Sequence, residues 1–238
     1  MFSPHGPTLR ELTVQALSSV ERGYDLLAPK FDQTPFRTPE DILDATVRAL
    51  SELGRFDTGL DLCCGTGAGL GALRVVCRGP VTGVDFSAGM LAQARSAHPD
   101  ARLVRADVRA LPFAAGFDVA VTFGALGHFV PTERPALFEG VHRALRPGGL
   151  FAFPLGTPPP RTSVAHWATL GFDLTMRVRN TVWRPPFVMY YRTAPLPAVR
   201  DDLTAAGFTV DTLALTALGR RGDGTPRYRL VVARKAAG

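Results

Sequence analysis

The sequence has 238 residues, of which 46% are hydrophobic, and this suffices for the core of one α/β domain. Its formal net charge is +6, but 25 of its 27 basic residues are arginines spread along the chain, so the charge is weak evidence for a nucleic-acid partner. No window approaches the roughly 18 to 20 apolar residues of a membrane span, and no basic segment followed by an apolar run begins the chain. We therefore predict a cytoplasmic protein with no membrane partner.

The three cysteines, Cys63, Cys64 and Cys77, are too few and too clustered for a disulfide framework. No spacing of cysteine and histidine resembles a zinc site, so we predict no metal. All three thiols are expected to be reduced packing residues.

The first 54 residues are predicted to be helical. Apolar residues recur at helical spacing from Leu9 to Val20. A second helix is predicted where Thr38 offers a hydroxyl cap, followed by a proline in the first turn and two acidic residues that suit a helix N-terminus. This helix is predicted to run to about Leu53 and to end at Gly54.

From Gly59 onward, short apolar runs alternate with helical stretches, which is typical of a mainly parallel sheet with helices on both faces. The predicted strands are Gly59 to Cys63, Val81 to Asp85, Arg102 to Arg105, Asp118 to Phe123 and Leu150 to Pro154. The predicted helices are Gly69 to Val76, a helix from a Ser87 cap to Ala97, and a helix from a Thr132 cap to Leu145 that a turn at residues 146–149 closes.

Residues 155–195 interrupt this alternation with prolines and aromatic residues, and we predict an insertion packed over the carboxyl edge of the sheet. A helix from Pro197 to Ala206 is predicted next. Two antiparallel strands, Phe208 to Leu215 and Tyr228 to Val232, are predicted to form a hairpin through a turn at residues 219–226.

A glycine-rich turn joins the first predicted strand to the next helix. Asp61 precedes the turn, and glycines at positions 65, 67 and 69 let the backbone turn sharply and approach a ligand. Asp85 ends the second strand, and Asp107 follows the third. A carboxylate at the position of Asp85 can accept both hydroxyls of a ribose, so the pattern predicts a nucleoside-containing cofactor.

The glycine spacing argues against a nicotinamide or flavin dinucleotide. A dinucleotide turn needs Gly-x-Gly-x-x-Gly to hold a pyrophosphate at the helix N-terminus, but Leu70 occupies the third position here. The carboxylate of Asp61 would repel pyrophosphate and attract the ammonium group of an amino acid. A sulfonium amino-acid nucleoside therefore matches the turn better.

Several motifs in the chain resemble those of the class I S-adenosylmethionine-dependent methyltransferases, of the type that acts on small molecules. They are Leu60 to Gly69, Gly83 to Ser87, Ala106 to Val108 followed by Leu111 to Phe113, Phe117 to Val121, and Leu145 to Leu150. The resemblance implies an α/β fold with a doubly wound, mainly parallel, seven-stranded Rossmann-like sheet, an antiparallel C-terminal hairpin and an N-terminal helical lid. It also implies S-adenosyl-L-methionine as cofactor and S-adenosyl-L-homocysteine as product.

The resemblance assigns roles to individual residues. Asp61 would support the ammonium group of the cofactor, Asp85 would bind the ribose hydroxyls, and Asp107 with the Val108 amide would read the adenine edge. The aromatic-Asp pairs at residues 24–25 and 31–32 resemble pairs that fold over the cofactor. The implied cofactor-binding residues are Tyr24, Asp61, Gly65, Gly67, Asp85, Phe86, Asp107, Val108, Phe123 and Gly124.

His128 is the candidate catalytic residue, because it follows the fourth strand at the carboxyl edge of the sheet. An imidazole there could deprotonate a hydroxyl or amine nucleophile. The alternatives are a histidine buried for packing or one hydrogen-bonded to the lid. His166 and Glu133 are weaker candidates, and a sulfonium donor can also react without a base when the reacting atoms are aligned.

We predict one domain over residues 1–238. Its parts are a lid (1–54), a cofactor-binding core (55–154), an insertion that forms the acceptor pocket (155–195), and a C-terminal helix and strands (196–238). The aromatic content of the insertion indicates a small organic acceptor, with an oxygen nucleophile as the first choice and nitrogen or carbon as the second. The candidate wall residues are Trp167, Trp183, Tyr190 and Tyr191.

Two other functions remain open. The chain could bind S-adenosylmethionine without catalysis, in which case it would yield no S-adenosylhomocysteine. It could also methylate nucleic acid, although the segment after the fourth strand lacks the Asn/Asp-Pro-Pro-aromatic sequence that receives a base amine.

Overall fold

The computed structural model describes residues 7–8, 18–34, 36–158, 162–164, 167–168, 170–171, 174–175, 178 and 195–238. The helices with complete bounds are α1 (Val20–Leu27), α2 (Glu40–Leu53), α3 (Ala68–Val76), α4 (Ala88–Ala97), α5 (Arg134–Ala144) and α6 (Leu196–Ala205). The strands are β1 (Gly59–Leu62), β2 (Val81–Asp85), β3 (Arg102–Arg105), β4 (Phe117–Thr122), β5 (Leu145–Gly156), β6 (Phe208–Ala214) and β7 (Tyr228–Lys235). In the part of the chain that the structure describes, no helix is both long and apolar enough to traverse a bilayer.

The seven strands form one sheet in the order β3-β2-β1-β4-β5-β7-β6. Strands β1 to β5 pair in parallel, whereas β7 runs antiparallel to both β5 and β6. This confirms the predicted doubly wound sheet and its antiparallel C-terminal hairpin. The chain direction across the sheet reverses at β1 and β4, which is where ligands bind in open α/β sheets.

Both faces of the sheet are covered. Strand β5 shows why: Phe151 and Phe153 belong to the core under α5 and α6, while Leu150 and Ala152 belong to the core under α2 and α3. All residues of β1 and β2 are buried. Near-continuous apolar runs are the expected sequence of strands that are covered on both sides.

Several predicted boundaries were wrong. Thr132 does not cap α5, whose N-cap is Glu133 and has no side-chain capping hydrogen bond, and α2 begins after Pro39 rather than at a Thr38 cap. Residues 146–149 are part of β5, which pairs with β4 across a register shift. For β5, pairing with β4 extends the strand through a segment whose sequence predicted a turn. The helix predicted from Leu9 falls mostly outside the described residues.

Other local predictions were right. Ser87 caps α4, because its hydroxyl accepts a hydrogen bond from the Met90 amide at 3.1 Å. Asp118, named in the sequence analysis only as a strand start, joins neighbouring segments: its Oδ2 accepts the Thr58 amide at 2.8 Å, and its Oδ1 lies 2.9 Å from Arg146 Nη1. Cys63, Cys64 and Cys77 are free thiols.

Candidate active site

A cavity of about 1220 Å³ lies at the carboxyl ends of the parallel strands. It has two chemically different halves. The first, called here the β2 half, is lined by residues that follow β1, β2 and β3, among them Gly65, Asp85, Phe86, Asp107 and Val108. The second, called the β5 half, is lined by residues of the N-terminal segment and of β4, β5 and β7, among them Phe36, Phe123, Phe153, Leu155 and Tyr228.

The glycine turn between β1 and α3 forms the floor of the β2 half. Gly65 (φ +53°) and Gly67 (φ +103°) adopt backbone angles that other residues rarely reach. A side chain at Gly65 would meet no atom within 4 Å, whereas one at Gly67 would lie 2.6 Å from His98 Cδ2. Gly65 lines the cavity, whereas Gly67 is not among the lining residues and its Cβ direction is filled by His98.

Asp61 lies beneath the turn and is not among the residues that line the cavity. Its side chain is 1% exposed and packs against Gly69, where an added Cβ would come within 2.5 Å of Asp61 Oδ2. Burial, and then the nearby Asp85 carboxylate, raise the pKa of Asp61 well above its ordinary value, and the Leu70 amide opposes this shift. The structure therefore places the Asp61 carboxylate behind the turn, where it packs against the backbone of Gly69.

Asp85 is the buried carboxylate of the cavity wall. Its Oδ2 accepts a hydrogen bond from the Gly65 amide at 2.9 Å, and its Oδ1 accepts one from the Ser87 amide at 2.9 Å. Burial raises its pKa, and these backbone donors oppose the shift. Asp85 is thus held rigidly at the end of β2, with its position tied to the glycine turn.

Asp107 and Val108 follow β3 at the far end of the β2 half. Val108 is buried, but the Asp107 carboxylate is held by Arg109, whose Nε lies 2.9 Å and 3.0 Å from the two carboxylate oxygens. The Arg109 guanidinium also bonds Glu133 at 2.5 Å, and it holds the pKa of Asp107 below its usual range. The Asp107 carboxylate is therefore already paired with Arg109, and the sequence did not predict this ion pair.

The N-terminal segment is fastened over the β2 half by two aspartates. Asp25 Oδ1 accepts hydrogen bonds from the Ser87 hydroxyl at 2.6 Å and from the Gly89 amide at 2.8 Å. Asp32 Oδ1 accepts one from the Thr66 hydroxyl at 2.7 Å. The two aromatic-Asp pairs noted in the sequence therefore hold the lid through their aspartates, to the turns after β2 and β1.

His128 sits where the two halves meet and bonds the lid. Its Nε2 lies 3.1 Å from the Tyr24 hydroxyl, and the two rings make an edge contact with centroids 5.8 Å apart. Burial lowers the pKa of His128 to about 4, so its imidazole is neutral near pH 7. Its Nδ1 is buried without a hydrogen-bond partner among the described residues. Tyr24 also meets the Phe86 ring edge-on, at 6.2 Å.

Solved structures share this fold. An O-methyltransferase family protein from Burkholderia thailandensis aligns with a TM-score of 0.63 at 19% identity, over 91% of this chain and 60% of that one. Human N-acetylserotonin methyltransferase, in complex with S-adenosylmethionine, aligns with a TM-score of 0.62 at 15% identity, over 97% of this chain and 60% of that one.

Sequence comparison finds a similarity to methyltransferases. Residues 60–149 match the family described as a methyltransferase domain. The chain is 34% identical over 127 residues to an uncharacterized methyltransferase of Synechocystis sp., which is 52% of this chain and 58% of the relative. It is 41% identical over 99 residues to a 2-phytyl-1,4-naphthoquinone methyltransferase of Nostoc sp., which is 38% of this chain and 43% of the relative. Over residues 60–149, the chain is therefore similar to a methyltransferase domain.

The matches span about half the length of these curated relatives. The matched residues of the methyltransferase domain include β1, β2, β3 and β4, so they contain the whole β2 half of the cavity except its lid. Most of the β5 half lies outside the match. The similarity to a methyltransferase domain therefore covers the β2 half of the cavity and little of the β5 half.

Among the described residues, the structure does not bring the predicted wall residues of the acceptor pocket to the cavity. Trp167 is 62% exposed and is not among the residues that line the cavity. Trp183, Tyr190, Tyr191 and the weaker base candidate His166 lie outside the described residues. The structure instead brings Phe36, Phe123, Phe153 and Tyr228 to the β5 half.

Phe123 and Gly124 were expected from the resemblance to bind the cofactor, and both line the cavity. Phe153 and Tyr228 were assigned to strands without a site role, and Phe36 was not singled out. Their signal was weak because an aromatic residue in a strand or before a helix is usually a core residue. Only the tertiary structure shows that these residues line one cavity.

Proposed function

We propose that this chain binds S-adenosyl-L-methionine in the β2 half and transfers its methyl group to a small, mainly apolar organic acceptor in the β5 half, with an oxygen nucleophile as the first choice. The observation that carries the proposal is the shape of one cavity: a polar, carboxylate-bearing half and an aromatic half meet at the carboxyl edge, beside the switch between β1 and β4.

The chemistry of the β2 half fits the donor. Asp85 offers carboxylate oxygens of a buried, fixed group to a ribose diol, and a charge-assisted hydrogen bond of this kind contributes roughly 1.5 to 3 kcal/mol. The absence of a side chain at Gly65 leaves room within 4 Å, which a bound molecule can fill. When bound, S-adenosylmethionine supplies an electrophilic methyl group on a sulfonium, and S-adenosyl-L-homocysteine is the product.

The chain's own residues would favour the reaction chiefly by alignment and exclusion of water. Asp25 and Asp32 hold the lid down on both sides of the β2 half, and Tyr24 joins that lid to His128. A desolvated site that fixes the nucleophile near the methyl group accounts for much of the acceleration of such a transfer. The lid would therefore contribute to turnover as well as to cofactor affinity.

His128 remains the candidate base, with a limited role. The Tyr24 hydroxyl occupies its Nε2, so a proton would reach the imidazole through that hydroxyl. A histidine whose pKa is lowered to about 4 is a weak base, and it can help only an acidic nucleophile such as a phenolic hydroxyl. This favours an acceptor whose reacting oxygen ionises easily.

The β5 half supports an apolar acceptor. Phe36, Phe123, Phe153, Leu155 and Tyr228 supply aromatic and aliphatic walls, which stabilise a bound organic molecule through buried apolar area and ring contacts. Arg37 also lines the cavity beside Phe36, and its guanidinium is already paired with Asp32 and Glu40. The naphthoquinone named for a relative is an acceptor of this kind, and it suggests ring compounds as the first pool to test.

The experiment has two arms. Calorimetry should show one-to-one binding of S-adenosylmethionine, and incubation with a methyl-labelled donor and pools of phenols, quinols, amines and activated carbon acids should transfer label to one pool. Binding without transfer to any pool or to bulk RNA or DNA would favour a non-catalytic cofactor-binding protein. Transfer to nucleic acid would replace the small-molecule proposal, and absence of cofactor binding would refute both.

A further inference from the structure

A charged pair ties the lid to the outer edge of the sheet. Arg105 is the last residue of β3, which is an edge strand, and its guanidinium pairs with the Glu21 carboxylate on α1. Arg105 Nε also donates a hydrogen bond to the Phe86 carbonyl at 3.1 Å. All three residues line the cavity. The ion pair of Glu21 and Arg105 is called here the edge pair.

The edge pair belongs to a row of ties between the lid and the strand ends. Asp32 bonds the turn after β1, and Asp25 bonds the turn after β2. Tyr24 bonds His128, which follows β4. In the order of the sheet, the four ties follow β3, β2, β1 and β4. The edge pair is the outermost of these four, so it is the tie that can open while the other three stay closed.

The exposure of the edge pair also favours its opening before the other ties. Asp25 and Asp32 accept hydrogen bonds of 2.6 to 2.8 Å in part-buried surroundings. The edge pair lies at the surface, where the side chain of Arg105 is 57% exposed and that of Glu21 is 47% exposed. Water and dissolved ions compete for both charges of an exposed ion pair, so its contribution is small and falls as salt is added.

We propose that the edge pair holds the lid closed over the β2 half and thereby sets the rate at which S-adenosylmethionine enters and S-adenosylhomocysteine leaves, with Arg105 as a positioning residue. The identity of the donor rests on the proposed function, whereas the opening of the lid does not. The pair joins two parts of the protein, so it stabilises the closed lid to a similar extent with and without a bound donor. Its loss should therefore raise both rate constants of donor binding and leave the equilibrium affinity nearly unchanged.

The kinetics of donor binding test this role of the edge pair. Surface plasmon resonance should show that Glu21→Gln raises the association and dissociation rate constants of S-adenosylmethionine by roughly three- to fivefold, with a Kd within about twofold of the natural value. Added salt should raise both rate constants of the natural chain and have little effect on those of Glu21→Gln, because the variant has no ion pair to screen.

Hydrogen exchange of the α1 amides measures the opening of the lid independently of the donor. Arg105→Glu should speed this exchange by about tenfold, because repulsion replaces attraction, and the double variant Glu21→Arg/Arg105→Glu should restore it to within about twofold. Glu21→Gln, a small change at an exposed residue, should speed it three- to fivefold and covers the case in which Arg105→Glu misfolds. The matched control Arg95→Glu makes the same charge change on α4, outside the cavity wall, and should match the natural chain.

The two proposals fail separately. Natural α1 exchange in Glu21→Gln, or a double variant that restores nothing, would overturn the role of the edge pair and leave the proposed function standing. A rise in the dissociation rate constant alone would show that Glu21 contacts the donor directly, which would also overturn it. Absence of S-adenosylmethionine binding, together with the expected α1 exchange, would refute the proposed function and support the edge pair as the group that holds the lid closed.

Discussion

The two halves of the cavity are built from the chain in different ways. The β2 half, apart from its lid and Glu133, draws on residues between 63 and 109, one consecutive run of strand, turn and helix. The β5 half draws on the segment before α2, the end of β4, the end of β5 and the start of β7, which are separated by up to about two hundred residues. A site assembled from one run leaves a motif, whereas a site assembled from distant segments leaves scattered apolar residues.

The electrostatics of the halves differ as well. The β2 half has Asp85 with backbone donors on both of its oxygens and the ion cluster of Asp107, Arg109 and Glu133. The β5 half is mainly aromatic. The comparison implies that substitutions in one half should change donor affinity and substitutions in the other should change acceptor use. His128, at the meeting point, should respond to both.

The largest expected effect is the pH dependence of stability at this meeting point. Because burial lowers the pKa of folded His128 to about 4 while the unfolded value is about 6.5, the unfolded chain binds the proton first as the pH falls. The free energy of unfolding should therefore be constant from this source above pH 6.5. It should decline by up to about 3 kcal/mol as the pH falls to about 4.

Urea unfolding at several pH values, for the natural chain and His128→Gln, measures this difference. The variant should lose the part of the decline that His128 causes, and other titrating groups cancel in the comparison. If the free energy of unfolding of both proteins changed with pH in the same way, the His128 imidazole would be accessible to water in the folded protein. The expected stability effect of its burial would then be refuted.

Removal of the Asp85 carboxylate should break the β2 half alone. Asp85→Ala loses the expected ribose contact and the hydrogen bonds to the Gly65 and Ser87 amides, so calorimetry should show S-adenosylmethionine affinity reduced roughly ten- to a hundredfold. Asp44→Ala, an exposed acid on α2, is the matched control and should bind normally. Unchanged affinity in Asp85→Ala would refute the ribose assignment.

A change in the β5 half should have the opposite signature. Phe36 lines the cavity and is 38% exposed, so Phe36→Ala should cost little stability. The KM of the acceptor should rise by roughly tenfold through lost ring contact, while donor affinity stays within about twofold. Leu26→Ala changes another exposed apolar residue outside the cavity wall and serves as control. A loss of donor affinity in Phe36→Ala would contradict the separation of the halves.

The smallest effect is expected for a substitution of Arg109, which tests whether Asp107 is available to the donor in the β2 half. Arg109 holds the Asp107 carboxylate that the adenine edge is expected to use. Because exposed ion pairs contribute about 0 to 1 kcal/mol, Arg109→Gln should change the melting temperature little. It should tighten donor binding by a few fold at most, since it removes a competitor for Asp107. A loss of more than about tenfold would show that Arg109 itself binds the donor.

The sequence anticipated the β2 half well. Glycines at positions 65 and 67 are required by positive φ angles, and Asp85 ends a strand whose neighbours pair in register with it. Local rules suffice here, because each residue acts within a few positions of the turn that holds it. Asp61 shows what the sequence leaves open: a carboxylate at a strand end can face the cavity or the helix behind the turn, and in this structure it packs against Gly69.

The sequence by itself determined the fold class, the order of strands and helices, and the acidic residues after β2 and β3, because periodicity and turn chemistry are local properties. Only the tertiary structure decided that Asp25 and Asp32 hold the lid, that Arg109 occupies Asp107, and that Tyr24 bonds a neutral His128. The same holds for the meeting of Phe36, Phe153 and Tyr228. Contacts between residues far apart in the chain depend on which segments pair and pack together, and a local sequence pattern does not specify those partners.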